Sequence, residues 1–400
     1  MADIHDMPRP PWSVVWALSV TQIISWGSLF YAISVLIAPI EHELAWSRDA
    51  IVGAFSLSMV CSGLAAFPVG MLIDRYGGRF VMGGGSILAA AMLLVLSQTT
   101  TLPAFYLVWI GLGIAMGAVL YEPAFTVITA CFGADTRKGI TVLTLAGGFA
   151  STVFWPLTQA LIAAFGWQHA LLALAALNLI VCAPLHFWLL PKTGAPVRSA
   201  TAATVGPASD VPRMREIVLT RKFLLLAAAF TANMLGFSAI SIHLIPLLSE
   251  RGFALADAVW IAALVGPMQV AGRIAEYTIG ARFRATQVAF CAFLLLPAAL
   301  CVLGLAGLQW PLVLAFIIMY GASNGIMTIA RGMIPAELFG SSRYGAVNGA
   351  LAAPVLASRS LGPLFGAVIW SAAGGYDAMI WTLAAIGVVS MFTFALAVKN

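Results

Sequence analysis

The feature that most limits what this chain can become is a succession of long apolar runs separated by short polar turns. A helix crossing a bilayer needs about 20 apolar residues, and more if it tilts. Twelve runs reach that length, at 12–40, 50–74, 79–98, 103–131, 138–165, 169–190, 222–248, 256–281, 285–305, 310–336, 343–371 and 375–397. Soluble domains carry about a quarter charged residues, whereas this chain is 9% charged and 62% hydrophobic. That balance excludes a soluble enzyme, a nucleic-acid-binding module and a disordered scaffold. A membrane β-barrel would alternate in ~10-residue strands, and these runs do not alternate. The expectation is an all-α membrane protein with twelve transmembrane helices.

The segment 191–221 differs from everything around it. It is rich in Pro, Gly, Ala, Ser and Thr, carries Lys192, Arg198, Arg213, Arg215 and Arg221, and cannot bury enough apolar surface to order itself. It divides the chain into a six-helix bundle at 1–190, a linker at 191–221 and a second six-helix bundle at 222–400. An internal repeat agrees with that division. One gap-free offset of 207 residues sets Pro39 on Pro246, Glu43 on Glu250, Arg75 on Arg282, Phe132-Gly133 on Phe339-Gly340 and Pro156-Leu157 on Pro363-Leu364. Two homologous halves place a substrate site between them, near the bilayer midplane.

Orientation follows from the cations. Of the twenty Lys and Arg, three lie within spans. Arg48 and Arg251 lie in loops on one side, and the other fifteen lie in loops and tails on the opposite side. The positive-inside rule then puts both termini in the cytoplasm. Residues 1–11 have no basic n-region, so the first run reads as a span and not as a cleavable signal. The five cysteines all lie in apolar runs without CxxC or Cys/His clusters, so no metal or cofactor is expected. No nucleophile elbow, P-loop or Walker-type motif occurs, so the chain does not read as an enzyme, and ATP coupling is not expected of it.

After the second run the sequence is Gly70-Met71-Leu72-Ile73-Asp74-Arg75-Tyr76-Gly77-Gly78-Arg79. This resembles the major facilitator superfamily signature GxxxD(R/K)xGxR, in the loop where that family carries it. With twelve spans, a six-plus-six repeat and a central linker, the resemblance covers essentially the whole chain. It implies the major facilitator fold, two pseudo-symmetric bundles with spans 3, 6, 9 and 12 on the outside and the others around a cavity. It also implies that Gly70, Asp74, Arg75, Gly77 and Arg79 form a conformational latch. The plainer alternative for this cluster is a charged turn with a local ion pair. The second copy is degraded: Tyr277 stands at the Gly70 slot and Ala281 at the Asp74 slot, while Arg282 is kept. Span 5 reads Trp155-Pro156-Leu157-Thr158-Gln159, without the paired glycines of the superfamily's drug/proton antiporters.

Five charges fall within spans: Glu122, Arg273, Glu276, Arg331 and Arg359. A charge at a helix centre costs ~2.5–3.5 kcal/mol on insertion scales, so such residues face protein or water and often carry function. All five fall on spans 4, 8, 10 and 11. Arg273 and Arg359 are similar to the basic residues on spans 8 and 11 of the oxalate/formate antiporter and monocarboxylate transporter branch, and the resemblance implies that both bind a carboxylate. A guanidinium can fork onto a carboxylate with two charge-assisted bonds. The competing assignments are structural pairs, Arg273 with Glu276 or Arg331 with Glu122 or Glu337. Further substrate-binding candidates are Trp26, Gln22 and Tyr31 on span 1, Trp155 on span 5 and Asn233 on span 7. Glu122, Glu276 and His243 are proton-coupling candidates, since desolvation favours the neutral form of a carboxyl.

The expected protein is a secondary active transporter that moves a small organic anion, a carboxylate, by alternating access with proton symport or anion exchange. The alternative is proton-coupled efflux of amphiphilic or drug-like compounds. Its expected partners are that small molecule and the lipid bilayer, without nucleic acid. It is expected to be a monomer in a prokaryotic inner (plasma) membrane.

Overall fold

A computed structural model describes residues 12–132, 136–190, 218–339 and 344–399. Most of the linker lies outside these residues, as do the side chains of Asp74 and Tyr277. Among the described residues every regular element is a helix. Eleven apolar helical stretches are long enough to cross a membrane. The longest, Lys138–Leu189, turns back at Gly166, whose backbone (φ 81°, ψ 164°) leaves the helical region, so it supplies two of the twelve spans.

In the first half, span 1 is Trp12–Leu44, span 2 Arg48–Tyr76 and span 3 Gly78–Leu96. Span 4 is split into Leu102–Val119 and Tyr121–Phe132. Span 5 starts at Thr136–Gly147 and continues in Ala150–Leu177, whose part beyond Gly166 begins span 6. In the second half, span 7 is Arg221–Glu250, and span 8 is split into Leu255–Ala263 and Val265–Thr278. Spans 9 to 12 are Ala285–Ala306, Trp310–Phe339, Tyr344–Ala373 and Tyr376–Lys399.

Each half packs around its own apolar core. One core runs from Val14 to Leu190 and takes in Ile242 and Ala367 from the other half; the second runs from Phe223 to Ala397 and takes in Val35 and Trp155. Lipid tails are as apolar as leucine, so helix association here depends on close packing at small residues. At Gly325 on span 10 a Cβ would stand 2.1 Å from the Gln269 carbonyl oxygen of span 8, so only glycine lets these helices meet.

The 207-residue repeat is written into the backbone and its contacts. Ala45 (φ 54°) and Gly252 (φ 102°), one offset apart, both take left-handed conformations where the first helix of each half ends. Glu43 accepts the indole N–H of Trp167 at 2.6 Å, and its counterpart Glu250 accepts that of Trp370 at 2.6 Å. The Ser34 hydroxyl donates to the carbonyl of Ser241, again 207 residues on, at 3.4 Å. A residue and its own repeat partner can touch only on the axis relating the halves, so this pair marks that axis.

Three prolines shape the inter-half region by a common device. Proline has no N–H, so the carbonyl four residues earlier loses its helical donor. In a membrane such a carbonyl must find another partner. Pro123 frees Val119, whose oxygen accepts from Gln22 Nε2 at 2.7 Å. Pro267 frees Ala263, whose oxygen accepts from Thr152 Oγ1 at 2.8 Å. Pro363 frees Arg359, whose oxygen accepts from Ser238 Oγ at 2.5 Å. Spans 4 and 8 break at Leu120 and Leu264, in each case three residues before the proline. In every case the new donor comes from a different span, so each break also fixes a neighbouring helix.

Span 1 carries a further irregularity. Trp26–Tyr31 winds as a π-helix, a feature often found at functional positions. Just beyond it, Val35 N–H bonds the Ala32 carbonyl and not that of Tyr31. The Tyr31 carbonyl is instead taken by Trp155 Nε1 of span 5 at 3.0 Å.

Candidate functional site

These irregularities converge on one cavity of about 270 Å³ between the halves. Its walls come from spans 1, 4, 5, 7, 8, 10 and 11, and no lining residue comes from spans 3, 6, 9 or 12. Its deep end, at Phe30 and Phe237, is buried, while Glu122 and Thr328 toward the other end are exposed. The cavity therefore opens toward the end of the bundle where helices begin at Trp12 and finish at Lys399. The opposite end is closed by the Ser34–Ser241 contact and by Arg48, whose guanidinium lies 4.1 Å over the Trp370 ring and donates to Tyr376 Oη at 2.9 Å.

Three guanidinium groups, Arg273, Arg331 and Arg359, line the cavity against one carboxylate, Glu122. Arg359 is half-buried and stacks 4.7 Å over Trp26 and 5.5 Å from Phe30. At these distances the guanidinium charge is attracted to the ring faces. Ser238 holds the same residue's backbone. Arg273 is 8% exposed and donates from Nη1 to the Thr144 carbonyl across the halves, while its buried Nε has no hydrogen-bond partner among the described residues. A buried donor without a partner costs about 1–3 kcal/mol, and this Nε is shielded from the cavity, so Arg273 acts on a ligand there through its positive charge. The low dielectric of a half-enclosed cavity strengthens attraction to an anion.

Trp26 is 5% exposed, and its Nε1 donates to Gln22 Oε1 at 3.1 Å. Gln22 thus satisfies two neighbours at once, the indole and the proline-freed carbonyl of Val119. Tyr121 packs toward span 5, where a Cβ on Gly147 would stand 2.3 Å from the phenol oxygen; glycine there makes room for the ring.

Of the sequence candidates, the structure brings Arg359, Arg273, Trp26, Tyr31 and Glu122 together at the cavity. Gln22, Trp155 and Asn233 are buried behind it and are not lining residues. The side-chain nitrogen of Asn233 is buried without a partner among the described residues. Glu276 is buried away from the lining. His243 sits in the closed end, bonded to Tyr376 Oη at 3.0 Å and to the Pro363 carbonyl at 2.8 Å.

In the signature loop, Arg79 donates to the carbonyls of Leu190 (3.0 Å) and Trp188 (3.3 Å), tying span 3 to the end of span 6 within one half. Arg75 lies 5.1 Å over the Tyr76 ring, Gly77 caps span 2 with φ 81°, and a Cβ on Gly70 would meet none of the described residues within 4 Å. The candidate Asp74 side chain falls outside the described ones.

Sequence reasoning missed Tyr121, Phe125, Phe237, Gln269 and Asn324 as lining residues, and Arg48 as a contact between the halves. The only available signal for Arg48 was its isolation, as one of two cations on its side of the chain.

Comparison with known proteins agrees with this geometry. The family model of the Major Facilitator Superfamily matches residues 18–296. Monocarboxylate transporter 12 of Xenopus laevis is 25% identical over 341 residues, covering 78% of this chain and 72% of that protein. Monocarboxylate transporter 13 of Rattus norvegicus is 27% identical over 291 residues, covering 69% of this chain and 63% of that protein. Among solved structures, the nucleoside transporter NupG superposes with a TM-score of 0.76 at 15% identity, covering 98% of this chain and 100% of the other. A bacterial homologue of the human lysosomal transporter Spinster, crystallised inward-facing and occupied, gives 0.71 at 18% identity over 98% of both chains. These two likenesses show the shared fold. The chain belongs to the Major Facilitator Superfamily, is similar to the monocarboxylate transporters among its relatives, and is a multi-pass membrane transporter, not an enzyme.

Proposed function

We propose that this transporter carries an organic anion, a carboxylate, held at the central cavity by Arg359 and Arg273. The observation that carries this reading is the lining itself, three guanidinium groups against one carboxylate. The names of the monocarboxylate transporters among its relatives support the same substrate class. Arg359 is the primary contact: its place over Trp26 holds the guanidinium at the cavity wall, where it can fork onto the substrate.

Transport runs by alternating access as the 1–190 and 222–400 bundles rock about the site, joined by the 191–221 linker. The rocking parts the closed end at Arg48 and Ser34 and closes the end that is now open. Glu122, the carboxylate of the lining, is the candidate proton carrier if coupling is symport; anion exchange needs no such group. The cation count supports cytoplasmic termini, and the short loops suit a prokaryotic inner membrane and a monomer.

The test is uptake of radiolabelled carboxylates into proteoliposomes containing the wild type or Arg359→Gln. Uptake saturates with wild type and falls at least about tenfold with the variant, while both proteins purify as the same monodisperse species. Equal uptake by both overturns the assignment. Efflux of amphiphilic cations is the competing reading, favoured by the aromatic lining; saturable transport of a cation but of no anion would establish it.

A further inference from the structure

The cavity is chemically two-sided. Six of its lining residues are aromatic, and five of these, Trp26, Phe30, Tyr31, Tyr121 and Phe125, come from the first half; the three guanidinium groups all come from the second. A ligand spanning this cavity meets positive charge on one wall and rings on the other. We infer that the substrate is an aromatic carboxylate, its carboxylate on Arg359 and its ring against the Tyr121–Phe125 face. This inference rests on the carboxylate reading above and narrows it.

The ring wall is continuous. Phe125 stacks on Tyr121 with centroids 5.3 Å apart and planes at 7°, Tyr121 lies 5.0 Å from Trp26, Trp26 lies 5.2 Å from Phe30, and Phe30 lies 5.0 Å from Tyr31. Arg359 sits at the middle of this chain, over Trp26. Tyr121 is the next ring along from Trp26, so the body of a carboxylate bound at Arg359 has Tyr121 and Phe125 on its side of the cavity. The indole N–H of Trp26, its only polar atom, is already committed to Gln22, so Trp26 offers the cavity an apolar face. Polar lining groups such as Gln269 and Asn324 belong to the guanidinium side. On the first half the polar lining side chains are Glu122, Thr144 and the phenols of Tyr31 and Tyr121, and the rest of that wall is rings and glycines.

Size agrees. The cavity of about 270 Å³ has room for several waters. A three-carbon hydroxy acid displaces only a part of these and leaves ring faces hydrated. A phenyl-bearing acid displaces more of them and adds ring–ring contacts beyond its area burial.

The test is direct binding by calorimetry to purified protein, with 3-phenylpropanoate, butanoate, 3-cyclohexylpropanoate and the uncharged 3-phenylpropan-1-ol as probes. 3-Phenylpropanoate is expected to bind at least about tenfold tighter than butanoate and measurably tighter than the cyclohexyl analogue. Tyr121→Leu and Phe125→Leu are each expected to shrink the phenyl-to-butyl ratio, and Arg359→Gln to weaken both acids. The ratio in the wild type alone decides the matter if either leucine variant misfolds. Equal affinity for the phenyl and butyl acids, both lost in Arg359→Gln, overturns the aromatic assignment and leaves the carboxylate reading standing. Equal affinity for the phenyl and cyclohexyl acids also overturns it. Tight binding of the alcohol with no effect of Arg359→Gln overturns the carboxylate reading, and the inference falls with it.

Discussion

The guanidinium of Arg48, at the start of span 2, lies 4.1 Å over the indole of Trp370, near the end of span 11. The pair joins the two halves at the closed end of the cavity. Arg48 is held in place by a two-pronged contact with Glu41, at 3.0 Å from Nε and 2.8 Å from Nη2, and also donates to Tyr376 Oη. Trp370 is fixed in turn by Glu250, which also accepts the Tyr376 backbone N–H at 3.0 Å. One cation thus ties a carboxylate of the first half to an aromatic pair of the second.

Breaking this clamp should open that end. Cation–π contacts are worth about 0.5–2 kcal/mol depending on burial, enough to shift a two-state equilibrium by several-fold. Arg48→Ala is expected to raise the rate at which a membrane-impermeant maleimide labels a cysteine placed at Ser34, by roughly three- to tenfold. An unchanged labelling rate would show that Arg48 does not hold the closed state.

Ser238 is expected to matter because of Pro363. Ser238→Ala removes the donor to the freed Arg359 carbonyl, at a cost of about 1 kcal/mol, within the range measured for hydrogen bonds between membrane helices. Pro363→Ala restores a backbone N–H to that carbonyl. In a Pro363→Ala background the same serine substitution should cost markedly less, as read by a thermal double-mutant cycle. Additive losses would refute the coupling.

Gln22 is expected to be costlier than its distance from the ligand suggests. Gln22→Leu leaves both the Val119 carbonyl and the Trp26 indole N–H without their present partner. Loss of two buried partners costs about 2 kcal/mol or more, so the melting temperature should fall. Carboxylate affinity should fall with it, because Trp26 is the platform for Arg359. A variant with native melting behaviour and native affinity would contradict this positioning role.

Ala45 offers a stabilising change. It holds φ 54° without glycine's freedom, at the position where the second half has Gly252. The left-handed region costs an L-residue roughly 1–2 kcal/mol, partly offset by the extra unfolded-state entropy of glycine. Ala45→Gly should therefore stabilise by about 0.5–1 kcal/mol. The check is the melting midpoint in detergent, and a lower midpoint than wild type would falsify the strain argument.

Much of this molecule follows from sequence because the bilayer leaves few solutions. Apolar runs of membrane length must be helices, and a chain that is 9% charged cannot hide where its charges go. That is why Arg359, Arg273 and Glu122 stood out before any coordinates: a charge inside a span must face a cavity or a partner. The offset of 207 was equally legible, because duplicated halves keep their prolines and their end-of-helix glutamates, Glu43 and Glu250.

The tertiary structure decided what single-residue chemistry leaves open. An aromatic residue in an apolar run looks the same whether it faces lipid, core or cavity, so Trp26 and Tyr121 on the wall could not be told from Trp155 behind it. A proline marks a freed carbonyl, but only packing decides whether Gln22, Thr152 or Ser238 answers it. Arg48 sat in a turn in one dimension and became a bridge between the halves because residues 328 positions apart meet at the closed end. Periodicity and charge are local properties, and the chain carries them openly. Which faces meet across a pseudo-symmetric interface is set by the summed packing of twelve helices, and no short stretch of sequence contains that sum.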